Sequence, residues 1–282
     1  MQMVLEKTKN LMKEYGIKAN KNLGQNFLIS DETINNIVNS ASVSENDLVI
    51  EIGPGLGNLT ESLIEKAAKV IAIELDDRML KILNLRFKNK KNLKLMHEDI
   101  LKVNLNKLIE EEKGNLSSIK IVANLPYYIT TPIIMKLLEE ELPVKSITVM
   151  VQKEVADRIT AKPSTKLSGM ITYSVNYYAK ATEVCFVSKD NFIPAPKVDS
   201  QVIKLEIRDK KEIELKDKEI FFKIIRASFM QRRKTLINAL TNGNIIKDKQ
   251  EAKELLIKLG IAENARGENL TMQQFADIAN NI

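Results

Sequence analysis

The feature that most constrains the fold is a regular alternation of two hydrophobic patterns between residues 47 and 152. Short apolar runs rich in valine and isoleucine alternate with segments in which apolar residues recur every three or four positions. The apolar runs are LVIEI, KVIAIEL, LKLMHED, IKIVANL and SITVMVQ, and the segments between them include LTESLIEKA, DRMLKILNLRF and TPIIMKLLEEE. The first pattern is typical of buried strands and the second of amphipathic helices. The alternation therefore predicts an α/β fold, with a parallel sheet that carries helices on both faces.

Two details extend this prediction. The runs EVCFVS and SQVIKLEI follow each other without a long helix between them, so we expect them to form an antiparallel edge of the sheet. In TPIIMKLLEEE we expect Thr131 to cap a helix that has Pro132 at its first position.

The charge density and the spacing of apolar residues change near Asp209. The stretch RDKKEIELKDKE is dense in charge and reads as a linker or an exposed helix start, and from there to the C-terminus the apolar spacing is helical. We therefore predict two domains, an α/β domain over residues 1–208 and a small all-helical domain over residues 209–282.

Composition excludes several classes of protein. The chain has one cysteine, Cys185, and one histidine, His97, so it has no intramolecular disulfide, no cysteine-cluster metal site and no His-rich metal centre, and we expect no metal. We interpret His97 as a structural residue. No apolar run reaches the length of a membrane span, and the N-terminus lacks the apolar core of a signal peptide. We expect a cytoplasmic protein without a membrane partner.

A glycine-rich turn, EIGPGLGNLT, links the first strand to the first helix. Gly53, Gly55 and Gly57 allow positive φ and a close approach of the backbone to a ligand. The spacing is G-x-G-x-G, whereas dinucleotide pyrophosphate sites have G-x-G-x-x-G. Pro54 also removes an N–H group that a phosphate cradle could use. One glycine would suit a tight strand-to-helix turn, but three at alternate positions with an acid before them are more than such a turn needs. The turn therefore indicates a close approach to a ligand other than a pyrophosphate.

Acidic residues stand at the ends of the next two strands. Glu74 ends the second strand, and a carboxylate there can accept both hydroxyls of an unsubstituted ribose. Asp99 ends the third strand. Alone it would be read as a helix cap, but beside Glu74 it can bind an adenine amine, with Ile100 against the ring. Ligands of open α/β sheets bind at such strand ends. The pattern favours a nucleoside cofactor without pyrophosphate, and S-adenosyl-L-methionine fits that description.

The stretch NLPYYITTP follows the fourth strand. Pro126 makes the turn rigid, so the Asn124 side-chain oxygen and a backbone carbonyl, that of Leu125 or Pro126, can both accept hydrogen bonds from one amino group. Tyr127 can stack on an aromatic ring. These groups suit methylation of a base amine, which positioning and electrostatics can promote without a strong general base. The alternative is an ordinary turn with Tyr127 in the core.

The basic segment, Phe221–Leu240, contains cations and no acid. It reads FFKIIRASFMQRRKTLINAL, and its basic residues are Lys223, Arg226, Arg232, Arg233 and Lys234. Such clusters bind phosphate backbones, although a solvated helix face is the simpler interpretation. Helical spacing places Arg226 and Arg233, seven residues apart, on one face that we expect to bind RNA. Arg232 and Lys234 are expected to support the domain junction instead.

These motifs together resemble one known family. NLGQNFL, EIGPGLG, NLPYYITTP, FIPAPKVDS and QRRKT look like the ribosomal RNA adenine dimethyltransferases, over a region from about Asn20 to the C-terminus, and ARGENLT keeps the family's Arg-x-Glu-x-Leu pattern. The PKVDS and QRRKTL stretches are similar to those of the small-subunit members. The resemblance implies a Rossmann-like methyltransferase domain followed by a small helical domain. It also implies dimethylation of two adjacent adenines in the terminal hairpin loop of small-subunit RNA, with S-adenosyl-L-methionine as cofactor.

The resemblance also assigns roles to residues. It implies cofactor contacts for Asn26 and Leu28, in addition to the glycine turn, Glu74 and Asp99. It implies catalysis by Asn124 to Tyr127 and makes Phe192 a second aromatic residue against the target base. Without the resemblance, Phe192 would be read as a core residue before a proline-rich turn.

The chain departs from the family at Tyr128, where some members have Asn, and at Thr130-Thr131, where some have Ser-Thr. Other readings stay open: a large-subunit adenine methyltransferase of the macrolide-resistance type, a ribosome-assembly factor without catalysis, and, less favoured by the glycine spacing, a nicotinamide dehydrogenase. The expected partner is small-subunit ribosomal RNA in a late 30S assembly intermediate, and the expected state is a monomer.

Overall fold

The computed structural model describes residues 3–282, apart from the side chain of Lys21. The chain forms two compact units. The first comprises the chain up to Ala156 together with Ala181–Ile207, and the second comprises Asp157–Lys180 together with Arg208–Ile282. The change near residue 208 thus lies one residue from the predicted boundary, but the division of 1–208 from 209–282 is wrong for Asp157–Lys180.

Packing explains why that stretch belongs to the second unit. Tyr173 is fully buried, and its ring lies 5.3 Å from the ring of Phe229 and 4.9 Å from that of Phe275. Its hydroxyl group donates a hydrogen bond of 2.5 Å to the carbonyl of Leu270. The contacts with Leu270 and Phe275 join residues about a hundred positions apart, so no local pattern in the sequence indicates them.

Within the described residues, nine strands form two sheets. They are β1 (Phe27–Leu28), β2 (Asp47–Ile52), β3 (Lys69–Glu74), β4 (Leu93–His97), β5 (Ser118–Asn124), β6 (Ser146–Gln152), β7 (Ala179–Val187), β8 (Phe192–Ile193) and β9 (Ser200–Ile207). The larger sheet has the order β4-β3-β2-β5-β6-β9-β7, and β1 pairs with β8. Strands β2 to β6 run parallel, and β9 is antiparallel to β6. The predicted α/β fold and its antiparallel edge are confirmed.

From residue 3 to Tyr178, eight α-helices accompany these strands. They are α1 (Met3–Glu14), α2 (Asp31–Ala41), α3 (Asn58–Lys66), α4 (Asp77–Arg86), α5 (Leu105–Lys113), α6 (Thr130–Glu139), α7 (Lys153–Thr160) and α8 (Met170–Tyr178). Side-chain caps begin α2, α4 and α5, where Ser30, Asp76 and Asn104 each accept a backbone N–H bond. The predicted cap of α6 is wrong, because the helix already begins at Thr130, whose hydroxyl bonds back to the carbonyl of Pro126.

The core of the first unit holds the sheet in place. All six residues of β2 are buried, and Val49 packs in one apolar cluster with Leu63, Val122 and Met150. Central parallel strands that are covered on both faces are expected to be apolar throughout. This core fixes the carboxyl ends of β2, β3 and β5, where the glycine turn, Glu74 and Asn124 follow.

The second unit is helical, as predicted for its C-terminal part. Its helices include α8 and then α9 (Lys218–Met230), α10 (Leu236–Asn242), α11 (Lys249–Lys258) and α12 (Met272–Asn280). Asp217 and Asp248 cap α9 and α11 by accepting two backbone N–H bonds each. The charge-dense stretch before α9 is an irregular linker that ends in this cap.

Over residues 3–282, no helix is long and apolar enough to cross a membrane. The same residues contain no group of three or more histidine, cysteine or acidic side chains placed to hold a metal ion.

Candidate active site

A cleft opens at the carboxyl ends of β2, β3 and β5 in the first unit. Its volume is about 1120 Å³ when the solvent in its mouth is counted. The residues that line it include the glycine turn and most of the predicted cofactor and catalytic residues: Asn26, Leu28, Gly53, Gly55, Glu74, Asp99, Ile100, Asn124, Leu125, Pro126 and Tyr127. The structure thus brings together residues from five separate stretches of the chain.

Two glycines of the turn, Gly53 and Gly57, serve different structural purposes. Gly53 has φ +68°, and a Cβ atom there would meet nothing nearer than the Asn124 carbonyl oxygen at 4.0 Å, so the backbone faces open space in the cleft. Gly57 has φ +81°, and a Cβ atom there would lie 2.7 Å from the side chains of Leu83 and Phe87. Positive φ disfavours other residues at both positions. Gly53 therefore leaves room for a ligand, whereas Gly57 allows helix packing.

Backbone amides hold the Glu74 carboxylate in the cleft. Oε2 accepts a bond of 3.0 Å from the N–H of Gly55, and Oε1 accepts bonds of 2.9 Å from the N–H groups of Leu75 and Asp76. The side chain is 7% exposed, and this burial raises its pKa although the three amides oppose the shift. A carboxylate fixed in this way is oriented before any ligand arrives.

Asp99 and Ile100 form the far wall of the cleft. One Asp99 oxygen accepts a bond of 3.0 Å from the N–H of Leu101, and the other lies 4.0 Å from the Lys102 ammonium nitrogen. Asp99 therefore shapes a turn and does not cap a helix. Ile100 is 8% exposed and presents an apolar surface beside it.

The N-terminal segment closes the cleft from another side. The carbonyl of Asn26 accepts a hydrogen bond of 3.3 Å from Nδ2 of Asn124. Leu28 is buried, and its carbonyl accepts a bond of 2.9 Å from Nδ2 of Asn58. Gln25 anchors the same segment through a bond of 2.8 Å to the Asp76 carboxylate. The first of these contacts ties the segment directly to the NLPY motif.

That contact also orients the Asn124 amide. Because a carbonyl can only accept, the group of Asn124 that faces Asn26 is the NH₂, and its Oδ1 is directed elsewhere. Among the described residues, no donor reaches this Oδ1 or the carbonyl of Leu125. The carbonyl of Pro126, in contrast, accepts from the N–H of Ile129 at 3.2 Å and the hydroxyl of Thr130 at 3.0 Å. The sequence did not distinguish the carbonyl of Leu125 from that of Pro126 as the second acceptor for an amino group. The structure favours the carbonyl of Leu125, because that of Pro126 is already occupied.

Tyr127 is held at its hydroxyl group. The phenol oxygen lies 2.6 Å from Oγ of Ser200, a fully buried residue of the PKVDS stretch. Burial raises the pKa of Tyr127, so the phenol stays neutral near pH 7 and its ring is the part available to a ligand. Sequence reasoning did not identify Ser200 as the residue that fixes this ring.

Two candidate residues lie outside the cleft. Phe192 is 3% exposed and packs in the apolar core with Leu28 and Val202, and it is not among the lining residues. This placement matches the simpler interpretation of Phe192 as a core residue and does not bring it to the base-binding side. His97 also stays outside, where its Nε2 lies 3.0 Å from the carbonyl of Leu75.

The charged side chains that line the cleft are acidic. Four acids line it, and no lysine, arginine or histidine does so among the lining residues that the structure describes. The acids are Glu51, Glu74, Glu98 and Asp99. Such a cleft attracts a cationic ligand and repels a pyrophosphate. It therefore fits S-adenosyl-L-methionine, which carries positive charge and no phosphate, and it disfavours a nicotinamide dinucleotide.

Sequence reasoning missed two of the lining acids, the exposed Glu98 and the buried Glu51. Glu51 is the more unusual of the two. It is 1% exposed, and burial raises its pKa to about 8. A signal was present in the sequence: Glu51 is an acid inside the apolar run LVIEI, and burial of a carboxyl group is costly unless something compensates it.

The basic segment of the second unit differs from its prediction in two ways. Helix α9 ends at Met230, and Gln231 to Lys234 form a turn in which the Lys234 N–H bonds to the Gln231 carbonyl at 2.8 Å. Arg226 and Arg233 therefore do not share a helix face, and that prediction is wrong. All five basic side chains are exposed, but two already have partners.

The partners of these two side chains all lie within the second unit. Lys223 donates a bond of 3.3 Å to the Asn244 carbonyl. Arg232 donates bonds of 3.0 Å to the carbonyls of Lys166 and Ser168 and to the Glu268 carboxylate. Arg226, Arg233 and Lys234 have no partner for their side chains among the described residues.

Comparison with known proteins gives the family. The model of the family described as "Ribosomal RNA adenine dimethylase" matches residues 16–282. The chain belongs to this family. The family's members are enzymes that use S-adenosyl-L-methionine, so the predicted enzyme class and cofactor are confirmed, as is a ribosomal RNA as the substrate.

Relatives and solved structures are similar over nearly the whole chain. The ribosomal RNA small subunit methyltransferase A of Bacillus pumilus is 48% identical over 277 residues, which are 97% of this chain and 94% of that protein. The same-named protein of Alkaliphilus oremlandii is 45% identical over 277 residues, 98% of this chain and 96% of its own.

A dimethyladenosine transferase from Plasmodium falciparum has TM-score 0.75 and 27% identity, and the alignment covers 89% of this chain and 95% of that one. The 23S rRNA methyltransferase ErmE has TM-score 0.68 and 23% identity, with coverage of 90% and 98%. At that identity, ErmE shows the shared fold alone.

Proposed function

We propose that this protein dimethylates the exocyclic amines of two adjacent adenines in the 3′-terminal hairpin loop of small-subunit (16S) ribosomal RNA. The observation that carries the proposal is the pair of unused acceptors, Asn124 Oδ1 and the Leu125 carbonyl, at an acidic cleft. The curated relatives at 45% and 48% identity are named small subunit methyltransferases, which supports the small-subunit RNA as substrate. The proposed methylation would be a step of ribosome biogenesis in the cytoplasm.

The cofactor would be held by groups that are already in place. Glu74 accepts the ribose hydroxyls, and Asp99 and Ile100 receive the adenine amine and ring. The half-buried backbone at Gly53, which has open space on its cleft side, allows the close approach that such a ligand needs. When bound, S-adenosyl-L-methionine supplies a methyl group that is already activated for transfer.

The target amine is a poor nucleophile because its lone pair is delocalised into the base. Asn124 Oδ1 and the Leu125 carbonyl each accept one of its hydrogens and favour the pyramidal geometry in which the lone pair can attack. The Asn26 carbonyl keeps the Asn124 amide turned the right way. Such preorganised acceptors act without reorganisation at the moment of reaction. No strong base is needed, because the methylated nitrogen loses its proton readily.

The target base itself would rest on Tyr127. Its hydroxyl group is tied to Ser200, so the ring is presented in one orientation and can stack on a flipped base. We assign the stacking contact to Tyr127 alone. Phe192 supports the cleft from the core through the pairing of β8 with β1.

The second unit would bind the RNA backbone. Arg226, Arg233 and Lys234 are exposed and without side-chain partners among the described residues, so their charges are available to phosphates. We assign Arg232 to the internal structure of this unit. The substrate that we propose is a late 30S assembly intermediate, and the protein that binds it is a monomer.

The test is incubation with labelled S-adenosyl-L-methionine and, in separate reactions, undermethylated 30S subunits or 50S subunits, followed by mapping of the label. We expect label on two adjacent adenines of the terminal hairpin of 16S RNA, and none with Asn124→Ala. Label on 50S subunits alone would favour the macrolide-resistance type. Subunit binding without any transfer would favour a non-catalytic assembly factor.

A further inference from the structure

A second tyrosine, Tyr128, lines the cleft and has no role in the reaction proposed above. The N–H of Ile129 bonds to the Pro126 carbonyl at 3.2 Å, which closes a β-turn. Tyr127 and Tyr128 are the two central residues of this turn. Tyr127 is partly buried, with its hydroxyl group on Ser200, whereas Tyr128 is 59% exposed. One ring of the turn is therefore fixed inside the cleft, and the other stands at its mouth.

One side of the Tyr128 ring lies against the N-terminal segment at Gly24. A Cβ atom on Gly24 would lie 3.1 Å from Cδ1 and 3.3 Å from Cε1 of that ring, and 3.5 Å from Cβ of Pro126. Gly24 has φ +60°, and because it has no side chain the ring can pack closely on its backbone. The ring is thus oriented from one side, and more than half of the residue stays open to solvent.

A hydrogen bond does not account for the position of Tyr128. Among the described residues its hydroxyl group has no partner, whereas the hydroxyl group of Tyr127 has Ser200. An aromatic side chain stabilises a protein mainly by burying its ring, and Tyr128 buries less than half of its surface. Proteins stack unpaired bases on aromatic rings that are oriented and uncovered. Tyr128 is therefore suited to stack on a base that approaches the cleft from solvent.

The charge of the cleft restricts how an RNA strand can be held at its mouth. The charged residues that line the cleft, among those that the structure describes, are all acids. The phosphates beside a flipped nucleotide therefore find no lining cation and are repelled by the acids. Base stacking on an aromatic ring needs no charge and accepts any base. A neutral ring is thus the suitable contact for a nucleotide next to the target.

Extrusion of the target base leaves its neighbour without a stacking partner. An enzyme that flips a base into its active site must offset the cost of unstacking it. When the target is one of two adjacent adenines, the base that stays outside loses the same stack. A ring that replaces the extruded base on this neighbour offsets part of the cost.

We propose that Tyr128 stacks on the purine adjoining the target adenine while the target itself lies against Tyr127 in the cleft. The inference rests on the proposed function, which supplies the adjacent adenines, and its new content is a second base subsite outside the cleft. Some family members have Asn at this position. The subsite is therefore a property of the second tyrosine of this chain and not of the shared NLPY motif.

The expected consequence lies in the rate of methyl transfer within the bound complex. The phosphate contacts proposed for the second unit supply most of the affinity for the subunit, whereas Tyr128 acts only once a base is extruded. Loss of its ring should lower the single-turnover rate at saturating 30S subunits by about 5–150-fold, the equivalent of one base stack. The affinities for 30S subunits and for S-adenosyl-L-methionine should stay within about threefold of wild type.

The experiment is single-turnover transfer from labelled S-adenosyl-L-methionine to undermethylated 30S subunits by two variants of Tyr128. Tyr128→Leu still packs against Gly24 but has no aromatic ring, and it should be slow. Tyr128→Phe loses only the unpartnered hydroxyl group and should transfer at the wild-type rate. Phe186→Leu is the matched control, because it removes an aromatic ring that is 58% exposed on β7 and does not line the cleft. It should also match the wild type.

A second arm changes the RNA. It uses 30S subunits reconstituted with 16S RNA in which one or the other adenine is replaced by uridine, a weakly stacking base. One ring can lie on only one side of the target, so we expect one of the two RNAs to respond. With that RNA, Tyr128→Leu should cost little beyond the effect of the uridine, because the contact is already lost.

The outcomes separate this inference from the proposed function. Equal rates for the wild type and Tyr128→Leu on unaltered subunits would overturn the subsite and leave the methyltransferase activity intact. Additive effects of Tyr128→Leu and uridine in both RNAs would overturn it as well. A loss of Tm and of cofactor affinity that accounts for the lower rate would show that the ring only holds the N-terminal segment. Absence of transfer by the wild type would overturn the proposed function and this inference together.

Discussion

The cofactor cleft of the first unit and the basic segment of the second unit differ in how firmly their side chains are held. In the cleft, Glu74 receives three amide bonds, Asn124 is fixed by Asn26, and Tyr127 by Ser200. In the basic segment, the side chains of Arg226, Arg233 and Lys234 are exposed and have no partner among the described residues. A small ligand is recognised by fixed geometry, whereas a phosphate chain is attracted by charge and tolerates mobile contacts. Substitutions should therefore cost much more in the cleft than in the segment.

The largest effect is expected for Asn124→Ala. Loss of one preorganised acceptor should lower the rate of methyl transfer by about 10²–10³-fold, because the amide acts on the target amine. The affinity for S-adenosyl-L-methionine should stay within a few-fold of wild type. Single-turnover transfer measures the rate, and Asn89→Ala, at an exposed asparagine, is the control. An unchanged rate would remove Asn124 from catalysis and weaken the contrast between the two regions.

The next effect is expected for Glu74→Ala, which should act on binding. Removal of a buried acceptor costs about 1–3 kcal/mol, which corresponds to a rise in Kd of about 5–150-fold. Calorimetry with S-adenosyl-L-methionine measures it, and Glu98→Ala at the exposed side of the same cleft should bind nearly as the wild type does. Melting curves should accompany the titration, since three backbone amides lose their acceptor. Full-strength binding by the folded variant would exclude Glu74 from the site.

A smaller effect is expected in the basic segment for the pair Arg226→Gln and Arg233→Gln. Loss of two phosphate contacts should weaken binding to 30S subunits and flatten the plot of log K against log salt by about 1.5. Cofactor affinity should not change. Lys247→Gln with Lys249→Gln, also exposed in the second unit, serves as the control with equal charge loss. Matching slopes for both double variants would mean that only net charge matters, and unchanged slopes that the segment is a solvated surface.

The smallest effect is expected for Arg232→Gln, and it should be on stability. Its bonds to Lys166, Ser168 and Glu268 are partly exposed, so their loss should cost about 1 kcal/mol and lower the Tm by a few degrees. The slope of log K against log salt for subunit binding should change less than it does in the double variant Arg226→Gln and Arg233→Gln. Arg226→Gln alone should leave the Tm unchanged. If Arg232→Gln flattened the salt plot without a change in Tm, Arg232 would be an RNA contact.

The strands and the site motifs could be predicted because their signals are local. Each apolar run of the sheet was visible in the sequence, and the glycine turn and NLPY motif follow such runs directly. Helix α8 was not visible, because seven of its nine residues are buried and no polar face gives it a helical period. The assignment of Asp157–Lys180 failed for the same reason, since the contacts of Tyr173 link distant parts of the chain.

The remaining errors come from choices that only three-dimensional contacts decide. Leu125 and Pro126 offer identical carbonyls in the sequence, and only the bonds from Ile129 and Thr130 separate them. The run QRRK has neither glycine nor proline to show that α9 ends before it, so helical spacing predicted one face for Arg226 and Arg233. Glu51 could have been found from its apolar neighbours, had the cost of burying it been weighed.

The position of β9 in the sheet has a consequence for how the protein is made. β9 lies between β6 and β7, and it carries Ser200, which fixes Tyr127. A nascent chain that has emerged only as far as β7 lacks β9, the strand with which β7 pairs. It also lacks the Ser200 hydroxyl group, which holds the ring of Tyr127. Domains usually fold as their N-terminal parts leave the ribosome, yet here the first unit must wait for Ile207. A partly synthesised chain therefore has no complete pocket that could bind the RNA of neighbouring particles until β9 has left the ribosome.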